Sequence, residues 1–171
     1  KHGIALITED RKGEGLLLSQ SITANIALGN LSAVSRAGVV DRDAEQALAR
    51  RQIEAMQIRC TGADQVVSEL SGGNQQKVVL AKWIGSGSKV LILDEPTRGV
   101  DVGAKREIYD LMNELTDRHV AIIMISSDLP EVLGMSDRIA VVYEGRLTGI
   151  LDGQTATQES IMTLATGGVE E

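Results

Sequence analysis

The chain has no phenylalanine, one tryptophan and two tyrosines. Any core it forms must therefore be aliphatic. A single cysteine, Cys60, excludes an internal disulfide and fits a reducing compartment. The two histidines, His2 and His119, are far apart and carry no Cys, Asp or Glu ligand pattern, so a zinc site is not expected. Nothing reads as a Ser/His/Asp triad or a cysteine nucleophile. Basic charge is also scarce: 17 Lys and Arg face 24 Asp and Glu, for a net charge of −7, and no Lys/Arg-rich run of five occurs. That balance argues against broad electrostatic binding to nucleic acid or anionic lipid. No apolar stretch approaches the ~18 residues that span a bilayer, and no signal peptide is legible. Any membrane role is expected to come through a partner.

What is present suits one globular domain. With 171 residues, 43% hydrophobic and 24% charged, the chain has ordinary composition. At that length folding buries about 70% of the unfolded surface. Apolar β-rich runs predict strands at 3–8, 90–93, 120–126, 138–143 and 146–151, the last two joined by a hairpin at Glu144-Gly145. Residues 9–15 and 61–70 read as loops. Ser21 or Thr23 opens a helix. Asp41 caps another through Gln57, with Ala44, Ala47, Leu48 and Ala55 as its stripe. Further helices are expected from Gly73 to Ile84, over 102–118 with Ile108, Leu111, Met112 and Leu115 inward, over 129–133 and over 157–165. The strand–helix alternation from residue 89 onward predicts an α/β fold with a mainly parallel sheet.

Two motifs carry chemistry. Leu70-Ser71-Gly72-Gly73-Asn74-Gln75-Gln76-Lys77 opens a helix. Its glycines let backbone approach an anion, the helix start supplies unpaired N–H groups, and Ser71 adds a hydroxyl donor. A plain Gly-Gly turn with Ser71 as helix cap is the simpler alternative. Downstream, Val90–Pro96 is an apolar strand ending in Asp94-Glu95. α/β sheets bind ligands at that strand end, where one carboxylate can hold Mg²⁺ and its neighbour polarise a water. A strand simply ending in charge is the plain alternative.

Together, and in this order, the motifs resemble the signature and Walker B motifs of ATP-binding-cassette (ABC) ATPases. The resemblance implies Asp94 on the magnesium side, directly or through water, and Glu95 as catalytic base. It places Leu70, Ser71, Gly72, Gly73, Asn74 and Gln75 on nucleotide. Arg98-Gly99-Val100-Asp101 takes the position of the D-loop, which in the family crosses to the opposite nucleotide site; Asp101 is equally a helix cap. Two positions depart from the family. Ser127, in Ser126-Ser127-Asp128, stands where a histidine contacts the γ-phosphate, and a short neutral hydroxyl cannot become a cation. Glu9 stands at the Q-loop glutamine, or is only solvated loop charge. Both put hydrolysis at this domain's own site in doubt.

Four stretches in combination are narrower: Asp94 through Lys105, Ser126 through Arg138, Ser71 through Lys77, and Glu9-Asp10-Arg11-Lys12. The first reads Asp-Glu-Pro-Thr-Arg-Gly-Val-Asp-Val-Gly-Ala-Lys, and the second Ser-Ser-Asp-Leu-Pro-Glu-Val-Leu-Gly-Met-Ser-Asp-Arg. They resemble the second nucleotide-binding half of the tandem ATPases that drive bacterial monosaccharide importers of the ribose, galactose and xylose type. The resemblance covers essentially the whole chain and is strongest over 68–146. It implies a P-loop NTPase three-layer α/β fold with a mainly parallel sheet and a helical subdomain: residues 1–15 as strand and Q-loop region, 16–70 as helical subdomain, 71–151 as core, and 152–171 as C-terminal helix and tail. It implies ATP and Mg²⁺, and a place at the cytoplasmic face of the inner membrane. The implied partners are an N-terminal nucleotide-binding half, membrane permease subunits and, indirectly, a sugar-binding protein, with no nucleic acid. Residues 16–27 and 41–57 are the expected permease contact, although Leu16–Leu18 also reads as core.

No Gly-x-x-x-x-Gly-Lys-Ser/Thr occurs in residues 1–69. The chain is accordingly expected to be an N-terminally truncated cassette without its P-loop strand, which in the family lies between the strands at 120–126 and 138–143. Open sheet edges there predict that the missing segment lies elsewhere in the parent protein, that the gap closes by rearrangement, or that another copy fills it by self-association. The chain alone is expected to be inactive, completing a partner's ATP site. A non-transport ABC protein is the alternative, disfavoured by the net charge and by the short spacing between Glu9 and the signature.

Overall fold

A computed structural model describes residues 3–85 and 87–168; His2 lies outside them. The fold divides into two compact units, Lys1–Ile125 and Ser126–Glu171. The first contains β1 (Ile4–Ile7), α1 (Ile22–Leu28), β2 (Ser35–Arg36), β3 (Val39–Val40), α2 (Arg42–Ala55), α3 (Gly72–Ile84), β4 (Val90–Asp94), α4 (Val102–Asp117) and β5 (Ala121–Ile125). The second contains α5 (Leu129–Met135), β6 (Arg138–Tyr143), β7 (Arg146–Asp152) and α6 (Gln158–Ala165).

The expected α/β architecture is present. Strands β1, β4 and β5 form a parallel sheet in the order β1-β4-β5, with Ile7 opposite Leu93 and Leu93 opposite Met124. Parallel neighbours require crossover connections, and α4 supplies the one between β4 and β5. One sheet face is closed: Ala5, Ile7, Leu91 and Leu93 are buried, as are Val78, Val79 and Leu80 of α3 and Ile108 and Leu115 of α4. The other face is open. Ile4 and Leu6 of β1 are 60% and 52% exposed, and Ile123 and Ile125 of β5 are 53% and 50% exposed. Ladder partners share a face, so Ile4 and Leu6 continue through Val90 and Ile92 to Ile123. Among the described residues, β5 pairs only with β4.

Helix starts follow the sequence closely. Ser21, Asp41, Ser71 and Asp101 each cap a helix through a side-chain oxygen that accepts a backbone N–H. Three local expectations differ. Residues 9–15 contain a helical turn, Arg11–Gly15, because Asp10 accepts from the Gly13 amide at 2.9 Å and its carbonyl accepts from Glu14. Strands β2 and β3 form a small hairpin that the sequence reading missed. Its turn holds Ala37 at φ 51° and Gly38 at φ 82°, both left-handed as a two-residue hairpin turn requires. In α2 the buried residues are Leu48 and Ala49, while Ala47 and Ala55 are exposed.

In the second unit β6 and β7 pair antiparallel, as the Glu144-Gly145 signal predicts. Ile139, Val141, Leu151, Ile161 and Leu164 form its core, with Leu129, Val132 and Leu133 of α5 packed against them.

Candidate functional site

Ser71 caps the 13-residue helix α3 and is exposed, so the N-terminus of α3 opens to solvent. Its Oγ lies 3.0 Å from Asn74 Nδ2, which donates to it, and 3.5 Å from the Asn74 amide. Asn74 Oδ1 in turn accepts from the Arg59 amide at 2.9 Å. Ser71, Gly73, Asn74, Arg59, Asp101 and Glu107 line a concavity of about 100 Å³. The sequence-predicted signature turn and Asp101 therefore meet at one place. Gly73 is needed for that meeting. A Cβ on it would come 2.5 Å from the Ala104 Cβ, so only glycine allows α3 to approach α4 this closely.

Leu70 and Gln75 face inward. Leu70 is buried, and the Gln75 side-chain amide donates to the Val67 and Leu70 carbonyls, both at 3.2 Å. They hold the turn from behind.

Below the turn, Lys77 and Glu107 tie α3 to α4. Lys77 Nζ lies 2.8 Å from Glu107 Oε2 and 3.2 Å from the Gln57 carbonyl, and Arg59 pairs with the other Glu107 oxygen. The hydrogen bond from Lys77 first, then the charges of Lys77 and Arg59, hold the Glu107 carboxyl below the usual glutamate range, against opposing pushes from burial and Asp101. The sequence reading missed Glu107. Its only signal is a position in the second turn of a helix whose apolar face lies elsewhere.

Asp94 ends β4, half-buried at the carboxyl edge of the sheet. Glu95 follows at φ 47°, in the left-handed region that a non-glycine residue rarely adopts. Its amide donates to the Ile125 carbonyl at 2.9 Å, and its carbonyl accepts from the Arg98 amide at 3.1 Å. The chain thus turns at once after the strand.

Glu9 forms an ion pair with Arg98. Arg11 donates to the Arg98 and Gly99 carbonyls, at 2.9 and 3.3 Å. The turn after β1 and the loop after β4 are joined by both contacts. Ser127 is exposed and belongs to the second unit, next to Ser126, whose hydroxyl bonds Glu131 Oε2. Among the described residues no three or more His, Cys, Asp or Glu cluster as a metal cage, and no helix is long and apolar enough to cross a membrane.

The ABC transporter family profile matches residues 3–98. The chain is 70% identical over 171 residues to the ribose import ATP-binding protein RbsA of Lacticaseibacillus paracasei, covering 100% of this chain and 34% of that protein. It is 63% identical over 168 residues to the protein of the same name from Bacillus subtilis, covering 98% of this chain and again 34% of the relative. The chain thus spans about a third of the length of the curated relatives it matches. Among solved structures it resembles a dimeric ATP-binding cassette bound to ADP and phosphate (TM-score 0.71, 18% identity, 87% of this chain and 62% of the other). It also resembles CbiO1 of Clostridium perfringens, part of an ABC transporter complex (TM-score 0.75, 23% identity, 94% and 61%). At those identities the structures speak for the fold, and the sequence relatives for kinship. The chain belongs to the ABC transporter family.

Proposed function

We propose that this chain is part of the C-terminal nucleotide-binding half of a monosaccharide importer ATPase of the ribose type. Its task is to present the Ser71-Gly72-Gly73 turn to ATP held by a second nucleotide-binding half. The observation that carries this reading is the exposed N-terminus of α3 sharing one concavity with Asp101. Amide N–H groups and the Ser71 hydroxyl there donate to phosphate oxygens, and the helix dipole favours the negative charge. In this role Asn74 orients Ser71, Leu70 and Gln75 support the turn, and Asp101 reaches the facing half.

Asp94 and Glu95 serve this domain's own nucleotide position. Mg²⁺ keeps several waters and needs only one or two carboxylates beside substrate phosphates, and the hard oxygen of Asp94 at the strand end fits that demand. When bound there, the ion neutralises phosphate charge. Glu95 accepts a proton from the attacking water. Ser127 offers a neutral donor where the family has histidine, and Glu9 is engaged with Arg98. We therefore read the parent machine as asymmetric, with one competent ATP site completed by this chain and a second site weakened at Glu9 and Ser127. Closure passes to permease subunits through residues 16–27 and α2, at the cytoplasmic face of the inner membrane, while a sugar-binding protein acts on the permease from outside. The four regions 1–15, 16–70, 71–151 and 152–171 divide this work.

The test is a graft. This chain replaces its 70% identical counterpart in the Lacticaseibacillus paracasei protein, and ATP hydrolysis and ribose uptake are measured with the permease present. Activity near the parent's, lost on Ser71→Arg, is expected. A graft that folds and binds ATP but neither hydrolyses it nor supports uptake would overturn the proposal.

A further inference from the structure

Arg11 sits in the helical turn after β1, and its guanidinium reaches residues 87 and 88 positions away. Nη1 donates to the Arg98 carbonyl and Nη2 to the Gly99 carbonyl, at 2.9 and 3.3 Å. Gly99 lies at φ +68°, a left-handed conformation that glycine adopts without strain. The same guanidinium lies against the first glycine of the phosphate-binding turn. A Cβ on Gly72 would come 3.1 Å from Arg11 Nη2 and 3.4 Å from the Gly99 carbonyl oxygen. One planar group therefore touches three segments: the turn after β1, the loop after Asp94-Glu95, and the Ser71-Gly72-Gly73 turn. The Glu9–Arg98 ion pair adds a second tie between the first two. Arg11 Nε is buried without a hydrogen-bond partner, so the group is held by its fork.

We propose that Arg11 is a positioning residue, which fixes the Arg98–Asp101 loop relative to the Ser71-Gly72-Gly73 turn so that both reach the facing nucleotide in register. This rests on the signature-donating reading above. Nucleotide is held by the other half, so losing the strut leaves affinity intact and slows the step that needs the completed site. A small misplacement of a donor is costly in rate. Lysine does not replace the fork, because one ammonium is a point donor without the planar pair of N–H groups.

The experiment uses the full-length graft, with steady-state ATPase kinetics and thermal unfolding of each variant. Arg11→Ala is expected to lower kcat by about tenfold, with KM for ATP changed less than about twofold and the unfolding midpoint close to the parent's. Arg11→Lys is expected to behave like Arg11→Ala. Arg36→Ala, at an exposed ion pair with Asp41, serves as the control and leaves kcat unchanged. Recovery of kcat in Arg11→Lys would overturn the inference, because charge alone would then suffice. Loss of kcat in step with a collapse of the unfolding midpoint, a rise confined to KM, or a parental kcat in Arg11→Ala would each overturn it as well. A graft inactive with Arg11 in place overturns the signature-donating reading itself, and this inference with it.

Discussion

Lys77 Nζ lies 2.8 Å from Glu107 Oε2, and this pair joins the helix that Ser71 caps to the helix that Asp101 caps. Lys77 is 3% exposed, whereas the Glu107 side chain is 35% exposed. Removing the carboxylate leaves a buried cation with the Gln57 carbonyl as its one remaining partner among the described residues. Glu107→Ala is therefore expected to destabilise the fold by about 1–3 kcal/mol, below the cost of breaking a fully buried pair because water reaches the Glu107 side. Denaturant unfolding checks this. A change under ~0.5 kcal/mol would mean that Lys77 is satisfied elsewhere.

The same contact sets a pH dependence. The folded Glu107 carboxyl titrates below its ordinary value, chiefly through the hydrogen bond from Lys77. The unfolded chain then binds the proton more readily, so stability rises with pH through the interval between the two values. The contribution is complete above the ordinary glutamate range and is lost as pH falls through the folded value. Carboxyl titration by NMR should give a midpoint below that of an unstructured glutamate, moving up in Lys77→Met. An unshifted midpoint would contradict the account.

Gly73 is expected to tolerate no side chain. Gly73→Ala places a methyl 2.5 Å from the Ala104 Cβ, and neither helix has a flexible group there to yield. Overpacking of this kind costs about 1–3 kcal/mol. The double variant Gly73→Ala with Ala104→Gly should recover most of the loss, measured by thermal unfolding. Full stability of the single variant would show that α3 and α4 separate freely.

Glu95 is held at φ 47°, where a side chain is strained by about 1–2 kcal/mol. Glu95→Gly should therefore be more stable than Glu95→Ala, which loses the same side-chain contacts but keeps the strain, while both remove the proposed base. Any turnover at this domain's own site is lost in the variant; the site completed by Ser71 retains its own. Lower stability of Glu95→Gly than of Glu95→Ala would deny the strain.

The open sheet face predicts association of the isolated chain. Ile4, Leu6, Ile123 and Ile125 form an exposed apolar surface beside the side of β5 that pairs with no strand among the described residues, and such edges template pairing. Light scattering should report oligomers that Ile123→Lys diminishes. A monomer at all concentrations would contradict this.

Much of the fold was legible because its signals are local. The caps at Ser71 and Asp101 stand immediately before periodic helices, and Val90–Asp94 is an unbroken apolar run between turns. The contacts that bind distant segments left no such trace. Asn25 is fully buried, with its amide bonding the Leu17 backbone and the Ser21 carbonyl, and Lys82 is buried, donating to the Gly15 carbonyl at 3.2 Å. Burial pushes the Lys82 ammonium down from its usual value. By type, each of these residues reads as solvent-facing. Arg11 belonged to a noticed motif, but its partners at Arg98 and Gly99 depend on β1 and β4 lying side by side.

The most direct measurement is calorimetric titration of Mg-ATP into this chain, alone and mixed with a separately made N-terminal half carrying an intact Gly-x-x-x-x-Gly-Lys-Ser/Thr loop, with phosphate release followed in parallel. The account predicts no tight binding by the chain alone, and binding with hydrolysis in the mixture that disappears on Ser71→Arg. Tight binding by the chain alone, or hydrolysis in the mixture indifferent to Ser71, would contradict it.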